Sequence, residues 1–198
     1  ESIGAGLGEL VIEHPAEARA ADAIARAAGR VQDVLVRITP PAVPRGFGDT
    51  MAGRPVPFGI DAEDAVPALR EIATLPGLRL TGLHFYSGTQ CLSAPAIAAN
   101  YRIFHELSAR LCAETGLSPA RLVFGAGMGI PYHETDAPLD LPALGAEASA
   151  DLDRMREEPQ LAGAALALEL GRYLVGPRVA RGGMASVHEA VDQRLHRT

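Results

Sequence analysis

The chain of 198 residues carries 18 basic side chains, every one an arginine, against 24 acidic ones, for a net charge of -6 and a pI near 5.5. Scattered arginines on an acidic surface exclude a nucleic-acid groove, and no apolar run approaches the roughly 20 residues that a bilayer span needs. With 47% hydrophobic and only 5% aromatic residues, one core of Ala, Leu and Val is expected; the two cysteines, Cys91 and Cys112, are too few for a disulfide scaffold and lack metal-ligand spacing. A cytoplasmic protein without a metal site is the expectation.

From Pro15 to Arg30, PAEARAADAIARAAGR has the alanine-rich periodicity of a helix, with proline in its first turn and Gly29 near its stop. DVLVRI, Asp33 to Ile38, is a β-branched run that reads as a buried strand. TPPAVPRGFGDTMAGRPVPFGI, residues 39–60, is rich in Pro and Gly and predicts a long excursion from a strand tip, a kind of loop that usually serves function. Asp61 stands where a helix N-cap belongs, ahead of AEDAVPALREIA. LRLTGLHFY then predicts a strand, Ser93 to Glu114 a helix stopped by Gly116, RLVF a strand, Leu139 to Glu158 a helix and LALEL a strand. Strand starts at Val34, Leu80, Leu122 and Leu166 lie 46, 42 and 44 residues apart. Such alternation implies βα units feeding a parallel sheet, because parallel strands need a helical crossover. A doubly wound sheet and a (β/α)8 barrel both satisfy it, and both put their sites at the carboxyl ends of the strands.

Glycine and polar residues collect at three of those ends: GLHFYSGTQ (Gly82 to Gln90), LVFGAGMGIPY (Leu122 to Tyr132) and LALELGRYLVG (Leu166 to Gly176). In GAGMG, Gly125 to Gly129, glycines permit positive φ and let backbone N–H groups approach an anion; the same pattern also serves a plain tight turn, and no Lys-Ser/Thr of an ATP loop follows. Glu169 interrupts an apolar run, and a buried carboxylate needs a partner, either Arg172 or a cationic ring nitrogen on a ligand. His84 and Tyr86 alternate with Phe85 and so share one side of the sheet, although a lone histidine at such a place is more often a core residue than a catalyst. Thr89 can give its hydroxyl to a phosphate or to its own turn.

Together these tips resemble the alanine-racemase-like (fold type III) barrels of the pyridoxal 5'-phosphate (PLP) decarboxylases that act on diaminopimelate, ornithine and arginine. GLHFYSGTQ is similar to the family's strand with a ring-stacking residue and a phosphate-binding hydroxyl, LVFGAGMGIPY to its glycine-rich phosphate loop, and LELGR to its Glu-Pro-Gly-Arg motif. MAGRPVPFGID, Met51 to Asp61, is similar to a segment that precedes a barrel helix. The resemblance covers about Glu1 to Pro177. It implies an α/β fold, a partial (β/α)8 TIM barrel over residues 1–177 followed by a tail over 178–198.

The resemblance also implies PLP as cofactor, with Gly125, Ala126 and Gly127 donating backbone N–H groups to its phosphate, Thr89 and Arg172 helping, and Glu169 pairing with the pyridine nitrogen. Glu169, Tyr86 and His84 are the implied catalytic residues; Tyr86 stands where many relatives stack a histidine. Ala126 replaces the middle glycine of the usual loop, and Leu170 the proline of the last motif. The implied activity is loss of the α-carboxylate of an amino acid, free or bound to an aminoacyl carrier protein, in a homodimer when full length. An amino-acid racemase and a non-catalytic PLP-binding pseudoenzyme are the alternatives.

Relatives hold PLP through a lysine on the first barrel strand and complete the site from a β-rich domain. This sequence has no lysine, and its four or five βα units read as the second half of a barrel whose usual size is about 250 residues. On that reading the chain is a fragment, inactive alone. The stretch Gly171 to Thr198 resembles the opening of bacterial Ser/Thr protein kinases: Gly182, Gly183 and Val187 fit, while Ala180 and Ala185 replace two loop glycines. No catalytic-loop or metal-binding Asp motif of a kinase is present, so a fused piece or a chance match is expected there, and not kinase activity.

Overall fold

The computed structural model describes residues 2–125, 127–169, 173–181 and 186–192, with side chains as far as Leu168. By packing, the chain divides into two compact units, Glu1–Leu168 and Glu169–Thr198.

The first unit opens with β1 (Glu9–Ile12), a short strand that the sequence spacing does not announce. α1 (Pro15–Ala27) follows, capped by His14, whose Nδ1 accepts from the Ala16 N–H at 3.1 Å, with Pro15 in the first turn where its missing N–H costs nothing. The helix ends at Ala27 and not at Arg30 because Gly29 takes a left-handed φ of 66°. β2 (Gln32–Thr39) leads into the Pro/Gly loop, which returns through the two-residue β3 (Ile60–Asp61).

Asp61 is not the helix cap that its sequence context suggests. It pairs with Thr39 in the β2–β3 ladder, and its carbonyl accepts the Asp64 N–H at 2.9 Å in a turn, so that α2 (Ala65–Ala73) begins one turn later with Asp64 at the cap position. After β4 (Leu78–Phe85) comes α3 (Ala94–Thr115), started by the Ser93 hydroxyl accepting from the Ala96 N–H at 3.3 Å and closed by Gly116 at φ 75°. β5 (Arg121–Gly125), α4 (Leu141–Glu157) and β6 (Ala165–Glu169) complete the series. The Asp140 carboxylate starts α4 by accepting the Ala143 N–H at 2.9 Å.

The strands lie in the order β1-β2-β4-β5-β6, with β3 branching from β2; β1–β2, β2–β3, β2–β4 and β4–β5 are parallel. Apart from that branch, order follows sequence without the reversal that marks a doubly wound sheet. One core cluster gathers Ile12, Val36, Ile38, Leu83, Phe85, Leu122 and Phe124 from the strands with Ala21, Leu69, Ile97, Phe104 and Leu111 from α1, α2 and α3. The helices therefore cover one face, and the first unit is a partial (β/α)8 barrel, which settles the choice the spacing left open.

Alternation sends Glu9, Glu13, Arg37 and His84 to the other face. A bulge keeps that parity: opposite Val34 and Leu35, β4 supplies Leu80 and Gly82, and the extra residue Thr81 gives its hydroxyl to Glu9 Oε1 at 2.8 Å. Arg121 Nη1 reaches Glu9 Oε2 at 3.2 Å, so the amino ends of three strands are tied by one polar cluster. The second unit contains an antiparallel hairpin of β7 (Tyr173–Arg181) and β8 (Ser186–Asp192), with Arg181 paired to Ser186. The intervening residues 182–185, on which the kinase resemblance turns, lie outside the described residues. Among the described residues no helix is long and apolar enough to cross a membrane.

Candidate functional site

The carboxyl ends of β4 and β5 meet at two glycine turns. Tyr86 follows β4 directly, and its ring lies on Gly125, the last residue of β5: a β-carbon there would meet Tyr86 Cγ at 2.9 Å and the Phe85 carbonyl oxygen at 2.8 Å. Only glycine admits that ring. Gly127 has a φ of 58°, and a side chain on it would collide with the Gly88 carbonyl and the Phe47 ring, whose Cε1 would stand 2.8 Å away. The two turns are zipped together, with the Cys91 N–H donating to the Gly127 carbonyl at 2.8 Å and the Gly129 N–H to the Cys91 carbonyl at 2.9 Å. Burial pushes the Cys91 thiol up, so it stays protonated and fills space behind the turn.

The Pro/Gly loop straps this pair of turns from the β2 side. The Gly48 N–H donates to the Thr89 carbonyl and the Thr89 N–H to the Asp49 carbonyl, both at 2.9 Å, and the Met51 N–H reaches the Ser87 carbonyl at 2.7 Å. Behind the β4 tip, the buried Ser87 hydroxyl donates to Asn100 Oδ1 at 2.8 Å, tying the turn to α3. With its main-chain bonds spent on the strap, Thr89 is held in place while its side chain remains half-buried at the mouth.

Facing Tyr86 is a residue that sequence reasoning missed. Arg37, near the end of β2, has only 12% of its side chain exposed; its Cζ stands 5.8 Å from the Tyr86 ring centroid and 5.2 Å from that of Phe58. Glu13 neutralises it, with Oε1 2.8 Å from Arg37 Nη1, and Glu13 Oε2 accepts the Gly59 N–H at 3.0 Å. A guanidinium between two aromatic faces holds both rings, each contact worth about 0.5–2 kcal/mol. The available signal was an arginine inside the apolar run DVLVRI.

Of the residues singled out from sequence, Tyr86, Thr89, Gly125 and Gly127 come together at this mouth. His84 sits deeper, 8% exposed, level with Arg37 on β2 and Val123 on β5 in the strand register. Ala126 and Arg172 lie outside the described residues. Glu169 ends β6, the strand next to β5 in the sheet order, and its side chain is likewise outside the described set. No group of three or more His, Cys, Asp or Glu side chains that could hold a metal occurs among the described residues.

A phosphorylated aromatic ring fits what is present. Gly125 and Gly127 put no side chain of their own between their main chain and a ligand, and the space on their Cβ sides is taken by the Tyr86 and Phe47 rings, which packs aromatic groups directly against the backbone at these two positions.

Comparison with known proteins gives the same direction. The family model for the pyridoxal-dependent decarboxylase, pyridoxal binding domain, matches residues 6–176. Diaminopimelate decarboxylase of Thermoplasma acidophilum is 36% identical over 129 residues, covering 65% of this chain and 30% of that protein. The enzyme of the same name from Mycobacterium tuberculosis is 30% identical over 184 residues, 89% of this chain and 41% of the relative. Among solved structures, diaminopimelate decarboxylase from M. jannaschii in complex with L-lysine superposes with a TM-score of 0.69 at 18% identity, over 96% of this chain and 46% of that one, a likeness of fold. The chain thus spans less than half the length of these relatives.

Proposed function

From the premise that the chain belongs to the pyridoxal-dependent decarboxylase family through its pyridoxal binding domain, we propose that the mouth at the ends of β4 and β5 binds PLP and that the whole protein removes the α-carboxylate of an amino acid. The observation that supports this best is the contact of Tyr86 with Gly125: an aromatic face and a glycine turn brought together by neighbouring parallel strands. When bound, PLP supplies an electron sink for the bonding pair that a departing carboxylate leaves behind.

In this reading the chain's own residues position and polarise. Backbone N–H groups of the turn from Gly125 to Gly127, with the Thr89 hydroxyl and Arg172, bind the phosphate. Tyr86, braced by Arg37, carries the ring on its face. Glu169 holds a proton on the pyridine nitrogen, where a neutral side chain would let it leave. His84, two residues before Tyr86, joins it and Glu169 as the residues assigned to catalysis. The chain has no lysine, so its own hold on the cofactor is non-covalent. The substrate is a basic or acidic amino acid, free or carrier-borne, taken by a cytoplasmic homodimer of the full-length enzyme. The tail over residues 178–198 is read as a fused piece or a chance match, and its likeness to a kinase opening carries no activity.

Equilibrium dialysis of the chain against PLP tests the reading. Saturable binding, weakened in Glu169→Ala by about tenfold, is expected for a lost charge-assisted hydrogen bond. PLP that distributes equally across the membrane at all protein concentrations overturns it.

A further inference from the structure

Gln90 stands outside the motif residues considered so far, yet among the described residues it is the one non-glycine side chain at positive φ, 55°. A residue with a Cβ resists that conformation, and such strain persists only where the surroundings enforce it. What enforces it is visible. The Gln90 amide turns across to the segment that follows the glycine turn, its Nε2 donating to the Ile130 carbonyl and its Oε1 accepting the Ile130 N–H at 3.4 Å. The side chain thereby imitates a strand neighbour, meeting both main-chain groups of one residue. One position on, Cys91 takes over with true backbone bonds to Gly127 and Gly129. A β-carbon on Gly129 would lie 2.8 Å from the Gln90 carbonyl carbon, so the two segments run in direct contact.

The turn from Gly125 to Gly129 has no side chains of its own with which to hold a shape, apart from those of residues 126 and 128. Glycines lose more conformational freedom on ordering than other residues, so an anion nest built from them needs an outside brace. Gln90 and Cys91 form that brace, and only the Gln90 part depends on side-chain identity.

We propose that Gln90 is a positioning residue: its amide clasp on Ile130 sets the glycine turn in the conformation that receives a phosphate. This rests on the PLP reading of the mouth and deepens it. The clasp acts on the phosphate end alone, since the ring end is organised by Tyr86, Arg37 and Phe58.

The test uses two ring-matched ligands without an aldehyde, pyridoxine 5'-phosphate and pyridoxine, titrated calorimetrically into the wild type, Gln90→Met and Gln90→Gly. Methionine keeps the length and loses the amide; glycine relieves the positive φ and also loses the amide. Both variants are expected to bind the phosphate ester about tenfold more weakly while pyridoxine affinity stays within about twofold, the size expected for two lost hydrogen bonds. Gln90→Gly should do so with an unchanged or raised Tm, which separates the effect from loss of folding. Equal weakening toward both ligands, or an unchanged preference for the phosphate ester in either variant, overturns the assignment of Gln90 alone. Absence of any preference for the phosphate ester in the wild type overturns the PLP reading together with it.

Discussion

Tyr86 rests directly on the α-carbon of Gly125, and Arg37 faces the same ring from 5.8 Å. An aromatic side chain on β4 is thus fixed by a missing side chain on β5 and by a cation on β2. Gly125→Ala is expected to push the ring out of this seat, since its added carbon would stand 2.9 Å from Cγ. Overpacking of this kind costs roughly 1–3 kcal/mol. Urea unfolding should show that loss, and PLP affinity should fall with it because the stacking face is displaced.

The Ser87–Asn100 pair makes a separate prediction about stability. Both side chains are fully buried; Asn100 Oδ1 accepts from the Ser87 hydroxyl, while Asn100 Nδ2 has no hydrogen-bond partner among the described residues. Asn100→Leu strands the Ser87 hydroxyl and should cost about 1–3 kcal/mol in urea unfolding. Adding Ser87→Ala should recover part of that loss, because the stranded hydroxyl is gone. A double variant as unstable as the sum of the two singles would contradict the pairing.

The buried cysteines set an alkaline limit. Burial pushes the Cys112 thiol up to about 11 from an ordinary 9.0, and the Cys91 thiol moves the same way. An acid whose folded pKa is raised holds its proton longer in the folded state. Its stabilising contribution is therefore whole below the unfolded value and is lost as pH rises through the folded one. Stability should decline between about pH 9 and pH 11, less steeply in Cys112→Ala. A thiol reagent at about pH 8 should label neither cysteine before unfolding and both afterwards.

His105 sets an acid limit by the opposite sign. Burial lowers its pKa below the ordinary 6.5, Glu158 and Glu106 oppose this, and Arg154 adds to it. A base with a depressed folded pKa binds fewer protons folded than unfolded, so its contribution is present above about 6.5 and is lost as pH falls through the folded value. The Tm of the wild type should drop more than that of His105→Gln between about pH 7 and pH 5.

The sequence made the repeating βα units legible because their signals are local: Ser93 and Gly116 bound α3, and the β-branched run after Gln32 is a strand wherever it is placed. It located Tyr86, Thr89, Gly125 and Gly127 through motifs whose residues do converge. Asp61 misled because a carboxylate before a helical run also suits a strand end, and the choice was made by Thr39, far away in sequence. β1 escaped notice because four residues carry too little pattern. Arg37, Glu13, Phe58 and Gln90 escaped because their roles are pairings across strands and loops, which no single stretch displays.

PLP binding at the ends of β4 and β5 is tested by an amide NMR titration of the isotope-labelled chain with PLP, with the phosphorus signal of the ligand followed alongside. Saturable amide shifts concentrated at residues 86–91 and 125–130 are expected, together with a shifted or broadened phosphorus resonance. Saturable binding that moves amides elsewhere and leaves Gly125, Gly127 and Thr89 in place would contradict it.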